Sequence, residues 1–284
     1  MAFQSLTINE GLSQGMVNQI IQDRYGFMWF ATKDGLNQYD GYKFKIFRHD
    51  AEDPASLSDS YVHALCEDRQ GRIWVGTSSG TVDFFDQTSG KFQHVILQAT
   101  TSQKAPNGPV YQIIEDKQGD IVVLFSKKML VIKRALNNEV DSLAYSTEEY
   151  VFPLPMISPL LFISNSGMIY LLENYSSFAQ NYSPVYFELL PPSHIWSSHN
   201  LDINPIKTNL NSEQIKIYQI LEDTLTNNLY FICTRGIIRL RDGKASEWIL
   251  RHPTDRKQCF IDHEHNIWFS YNDLMGIFNL EAGN

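Results

Sequence analysis

Few residue spacings in this 284-residue chain could support chemistry. Asp262-His263-Glu264-His265 contains an HxH pair of the kind that ligates metals. A metal centre needs further ligands in fixed geometry, and the neighbouring repeats put this pair in a turn between two strands. An exposed turn is expected there, and no metal. Cys66, Cys233 and Cys259 are odd in number, widely spaced and form no CxxC. Each lies among apolar neighbours in a predicted strand and reads as a buried free thiol acting as a small hydrophobe. Glycan cleavage would need a defined pair of carboxylates, and none stands out among the 32 Asp and Glu residues. The most regular spacing belongs to Asp and Trp residues that recur along the chain. Chemistry needs one constellation, so a recurring set reads as structural. No catalytic residue and no cofactor are expected.

The elements that hold these residues are repeats. Residues 17–32 read VNQIIQDRYGFMWFAT and residues 62–77 read VHALCEDRQGRIWVGT, an offset of 45. Asp23 matches Asp68, Gly26 matches Gly71, Trp29 matches Trp74 and Thr32 matches Thr77. A third copy, VYQIIEDKQGDIVVLF over 110–125, keeps Asp116 and Gly119 and has Val122 in the Trp slot. A degenerate copy, SNSGMIYLL, carries Gly167 and Tyr170. A fifth begins at Ile217, with Asp223 and Tyr230, and the last holds Asp262 and Trp268. Trp-slot positions are thus 29, 74, 122, 170, 230 and 268. Periods of ~40–50 residues, several strands each, are those of propeller blades.

Each unit opens with an apolar strand, such as Val110–Ile114, suited to an innermost position covered on both sides. Asp-x-x-Gly supplies turn chemistry, since Asp accepts from backbone N–H groups two residues on and Gly takes positive φ. In the second strand a large aromatic (Trp29, Trp74, Trp268) precedes by two a small residue (Ala31, Gly76, Ser270), which lets neighbouring sheets interlock. Asp40-Gly41 and Ser89-Gly90 mark turns into outer strands. The expected fold is all-β: one domain over 1–284, a β-propeller of six four-stranded antiparallel blades. The last unit stops after its third strand, and Phe3–Ile8 is expected as an orphan outer strand that completes it and removes two sheet edges. The region 134–214 is the place where a seventh blade could hide, although the spacing leaves little room.

Charge narrows the partners. The formal net charge is −9, and no Lys/Arg cluster provides the basic face that a duplex binder needs. Nucleic acid is not expected; a neutral ligand, or one read by local charge, is. No stretch reaches the ~18–20 apolar residues of a membrane span, so no direct membrane insertion by this region is expected. No signal-peptide pattern follows Met1-Ala2.

Ligand contacts are expected on one face of the ring, from loops joining second to third strands and fourth strands to the next blade. These loops contribute Lys33, Asp34, Ser78, Ser79, Lys127, Tyr175, Arg235, Asn272 and Asp273. The long connection 190–214 adds Trp196 and His199. A Trp in a polar loop suits sugar stacking, with polar groups fixing the hydroxyls; the bland alternative is that Trp196 folds back to cover a blade.

Residues 11–50, GLSQGMVNQIIQDRYGFMWFATKDGLNQYDGYKFKIFRHD, and 56–92, SLSDSYVHALCEDRQGRIWVGTSSGTVDFFDQTSGKF, resemble two-component regulator propellers. The resemblance weakens over 134–214. It implies the periplasmic sensor region of a hybrid two-component system protein, without catalysis, in a family whose propellers usually have seven blades. It further implies oligosaccharides from polysaccharide breakdown as ligands, and a second propeller or a homodimer as partner. Any kinase would lie in downstream domains that these residues do not contain. Two other readings stay open: an interaction or dimerisation scaffold, and a polysaccharide lyase or glycoside hydrolase on a propeller.

Overall fold

The structure is a computed structural model. It describes residues 7–96, 108–134, 145–152, 156, 159–173, 185–189, 195–200, 217–223, 226, 228–233, 236–241, 244–251, 259–261, 266–271 and 274–279. Two compact units divide the chain, Met1–Pro155 and Met156–Asn284.

The first unit holds three blades. Blade 1 is β1 (Val17–Gln22), β2 (Met28–Thr32), β3 (Gly35–Tyr39) and β4 (Phe44–Phe47). Blade 2 is β5 (Val62–Glu67), β6 (Ile73–Thr77), β7 (Val82–Asp86) and β8 (Lys91–His94). Blade 3 is β9 (Gln112–Glu115), β10 (Ile121–Leu124), β11 (Lys128–Arg134) and β12 (Tyr145–Val151). Strands pair antiparallel in sequence order within each sheet, and the first strands pack side by side, β1 on β5 and β5 on β9. Apolar residues line the interfaces. Trp29 is fully buried and packs on Phe47 and on Phe85 of the next blade, with ring centroids 6.0 and 5.6 Å away.

The second unit continues the plan. Blade 4 is β13 (Pro159–Ile163), β14 (Ile169–Glu173), β15 (Val185–Leu189) and β16 (Ser197–Asn200). Blade 5 is β17 (Ile217–Asp223), β18 (Asn228–Cys233), β19 (Gly236–Arg241) and β20 (Lys244–Arg251). A sixth sheet has β21 (Cys259–Ile261), β22 (Asn266–Tyr271) and β23 (Leu274–Asn279). The fold is an all-β propeller with four-stranded antiparallel blades.

Among the described residues five blades are four-stranded, rather than the six expected. The sixth sheet has three strands among the described residues, its third ending at Asn279. The expected strand Phe3–Ile8 falls mainly on residues 1–6, outside those described. Its last residue is not extended: Ile8–Glu10 is a 3-10 turn. Thr7 and Glu10 explain it by capping each other, Asn9 N–H donating to Thr7 Oγ1 at 3.1 Å and Thr7 N–H to Glu10 at 2.7 Å. Gly11 ends the turn at φ 105°.

The expected large–small pairing is present in blade 2. Trp74 is fully buried, and a Cβ on Gly76 would lie far inside contact distance of Val110. Cys233 is a buried free thiol in β18, as expected, and Cys66 in β5 is half-buried. Burial pushes the Cys66 thiol up to about 11.

Candidate functional site

The Asp-x-x-Gly turns form one edge of the blades. Asp23 Oδ1 accepts from Tyr25 N–H at 2.9 Å and Phe27 N–H at 3.0 Å, and Oδ2 accepts from Trp29 Nε1 at 2.7 Å. Asp68 repeats this with Gln70 N–H, Arg72 N–H and Trp74 Nε1 (2.9, 2.9 and 2.8 Å) and adds Arg72 Nε at 2.6 Å. The turn therefore satisfies the indole of the same blade, which is why Trp and Asp travel together. Blade 3 keeps the backbone half: Asp116 takes Gln118 and Asp120 N–H, and apolar Val122 asks for no partner. In blade 4 Ser164 stands in the Asp slot and accepts from Met168 N–H at 3.1 Å. In blade 5 buried Asp223 accepts from Thr226 Oγ1 at 2.5 Å. Gly26, Gly71, Gly119 and Gly167 all take positive φ. Asp262, His263 and His265 lie outside the described residues, and for Trp268 only its place in β22 is described.

Consecutive blades are clamped at this edge by residues the sequence reading passed over. Arg24 Nε contacts Glu67 at 2.6 Å, while its other nitrogens donate to the carbonyls of Asp68 and Arg69. Arg69 repeats the move on blade 3: its N–H donates to Glu115 at 3.0 Å, and its guanidinium reaches the carbonyls of Asp116 and Lys117. In the second unit Asn165 N–H donates to Glu222 at 2.6 Å. The signal was visible: a polar residue follows the turn Asp, and an acid precedes it in the next copy.

The opposite edge carries the expected ligand loops. Lys33 and Asp34 sit between β2 and β3, as anticipated. Thr32 Oγ1 closes their turn, accepting from Asp34 N–H at 3.1 Å and donating to Gly35 O at 2.8 Å. Gly35 has φ 109°, and a Cβ there would collide with the Phe47 carbonyl. Asp34 is forked by Arg48 at 3.1 and 2.9 Å. Lys33 Nζ lies 5.9 Å from the Tyr61 ring, which stacks on His63 at 4.6 Å. Burial holds the His63 pKa below its ordinary value, opposed by nearby Asp59. Residues 59–61 join the two loops: Gly35 N–H donates to Ser60 O, Ser78 N–H to Tyr61 O and Ser79 N–H to Asp59. Lys33, Asp34, Ser78 and Ser79 are thus brought together, and Lys127 occupies the same connection in blade 3. Arg48, Tyr61 and His63 were missed, although Tyr61 stands where the first copy has Met16 and the third Pro109.

The remaining candidates fare differently. Tyr175, Arg235, Asn272 and Asp273 lie outside the described residues. Trp196 is not in a long inter-blade connection. It immediately precedes β16, which pairs with β15, so it belongs to a third-to-fourth-strand hairpin. Hairpins alternate between the two edges of a blade, and this one lies on the edge of the Asp turns, away from the second-to-third-strand loops. His199 lies within β16 itself. Among the described residues no group of His, Cys, Asp and Glu is arranged to hold a metal.

The sequence pattern of the family described as two component regulator propeller matches residues 11–34 and 56–79. Two segments of this chain are therefore similar to the two-component regulator propeller repeat. Blades 1 and 2 hold both of them. A histidine kinase, P4, of Formosa agariphila is 50% identical over 56 residues, which is 20% of this chain and 4% of that protein. The extracellular domain of the hybrid two-component system BT3049 of B. thetaiotaomicron shares the fold at 18% identity and a TM-score of 0.56. That match covers 96% of this chain and 41% of the other. PorZ of Porphyromonas gingivalis, an essential surface component of the type-IX secretion system, matches at 13% identity and a TM-score of 0.65, over 96% and 40%. The chain thus spans a small part of the curated relative and about two fifths of these solved chains. No helix among its described residues is long and apolar enough to cross a membrane.

Proposed function

We propose that this chain is the extracytoplasmic, non-catalytic ligand-sensing propeller of a two-component sensor that responds to oligosaccharides from polysaccharide breakdown. The observation that carries this is the pair of regulator-propeller matches, together with the 56-residue segment shared with a histidine kinase. The sugar reading is supported by the edge where Lys33, the Asp34–Arg48 fork and the Tyr61–His63 stack adjoin, an aromatic surface flanked by polar groups. In this reading the partner that receives the signal is a second propeller or a second copy of the chain, and kinase activity belongs to other domains.

A thermal-shift panel of neutral oligosaccharides tests the proposal on this chain and on the complete extracytoplasmic region. A ligand at a hundredfold excess over its Kd adds about 2.7 kcal/mol, or roughly 4–5 °C for a domain of this size. Silence across the panel from both proteins rejects the sugar reading; glycan turnover lost on replacing one loop carboxylate rejects the non-catalytic one. The finer architecture, a sixth blade completed by the N-terminal segment, belongs to the same proposal. Deleting residues 1–6 should then lower the melting temperature by several degrees.

A further inference from the structure

The connection from blade 1 to blade 2, residues 48–61, is anchored by buried Leu57 and by Phe92 N–H donating to Ala55 O at 3.0 Å, and one of its further anchors is a histidine whose two ring nitrogens both face acceptors. His94 is on β8, directly opposite Asp83 on β7. Its Nδ1 lies 2.8 Å from Asp83 Oδ1 and 2.8 Å from Ser58 Oγ. Its Nε2 lies 2.9 Å from the Pro54 carbonyl. Ser58 Oγ donates to Asp83 Oδ1 at 2.6 Å, and Ser58 N–H donates to Asp83 Oδ2 at 2.8 Å. With its hydroxyl proton committed to Asp83, Ser58 offers His94 only a lone pair. A carbonyl and a carboxylate likewise only accept. A neutral imidazole carries one N–H and leaves one of these contacts unmade; the imidazolium satisfies both.

We propose that His94 is a pH-sensitive latch: its imidazolium fastens the 48–61 connection to blade 2, and deprotonation releases it. Asp83 is fully buried and is the charged group brought to the ring. The other charges nearby are turned elsewhere. Asp50 accepts from Glu52 N–H and Asp53 from Ala55 N–H, both within the connection. On the β7–β8 hairpin, Asp86 and Lys91 are register partners at the far end, where Asp86 accepts from Thr88 N–H. The ring of His49, in the connection, faces one acceptor, Leu57 O at 2.7 Å, which one ring N–H satisfies.

The latch acts on the edge described above. Ser60, in the same connection, accepts from Gly35 N–H through its carbonyl and from His49 N–H through its hydroxyl. Arg48, at its start, forks Asp34. Loosening residues 54–58 therefore loosens the supports of Lys33 and Asp34. Burial works against the charge on His94, but the hydrogen bond and charge of Asp83, with the Pro54 carbonyl, outweigh it and raise the pKa above its ordinary value. A raised folded-state pKa gives stabilisation that is full below the unfolded value of 6.5 and lost as pH rises through the folded value.

Two measurements on the whole chain test this. Side-chain ¹⁵N NMR should show both His94 nitrogens protonated at pH 6.5 and a midpoint above it. Amide exchange at His49, Asp50 and Ser58, corrected for intrinsic rates, should lose protection severalfold between pH 6 and pH 9. In His94→Gln the same amides should be less protected at pH 6 and show no such pH step, while His49→Gln keeps the step. A His94 midpoint at or below 6.5, or wild-type protection that does not change with pH, overturns the latch. Neither readout involves a ligand, so this test stands or falls apart from the sugar reading.

Discussion

Asp68 concentrates several demands in one side chain. It is buried and accepts from two backbone N–H groups, the Arg72 guanidinium and the Trp74 indole. Asp68→Ala leaves all four donors without that acceptor and an uncompensated Arg72. A loss of about 3–5 kcal/mol is expected in urea unfolding. Asp116 occupies the same place in blade 3 but serves two backbone donors at a more open site, so Asp116→Ala should lose only about 1–2 kcal/mol. Equal losses would mean that the indole and guanidinium contribute nothing. Cys66 gives a second test at this scale. Its thiol is pushed up to about 11, chiefly by burial, so little thiolate exists at pH 8. Mass-mapped alkylation should leave Cys66 largely unmodified in the native protein and modify it readily in urea.

Between elements the governing contact is the fit of one blade against the next. Gly76 on β6 faces Val110, which leads into β9, and a methyl group there has no room. Gly76→Ala should cost about 1–3 kcal/mol through overpacking. Val110→Ala should recover part of that, because the two changes share one space. A double-mutant cycle with no coupling would show that the interface yields elsewhere. At this scale the sequence was legible only in part. Asp23, Gly26, Trp29 and their copies announce themselves because a turn and a close-packed aromatic each tolerate few residue types. Ser197–Asn200 did not read as a strand, because an outermost strand is paired on one side and needs no apolar alternation. The Arg24–Glu67 clamp and the Ser58–Asp83–His94 cluster join residues 11 to 43 positions apart, so they become visible only once the strands are in register.

For the whole molecule, charge separates kinds of ligand. The chain carries a net charge of −9, which at low salt disfavours approach of any polyanion. Where Tyr61 sits on the loop edge, the Arg48 charge is already matched by Asp34 and Lys33 lies over the Tyr61 ring. A neutral oligosaccharide is the ligand this edge suits: a sugar face on an aromatic ring, with hydroxyls reaching flanking polar groups. Its thermal shift should be the same within error at 50 and 500 mM NaCl, since shortening the Debye length from about 14 to about 4 Å leaves neutral contacts untouched. Tyr61→Ala should abolish the shift while leaving the fold intact, because Tyr61 sits at the rim rather than among the buried core residues. A shift confined to uronate or sulfated oligosaccharides, falling steeply with salt, would instead place recognition on a cationic surface elsewhere in the chain. That result would separate the ligand site from the Lys33–Tyr61 edge while leaving the propeller architecture as it stands.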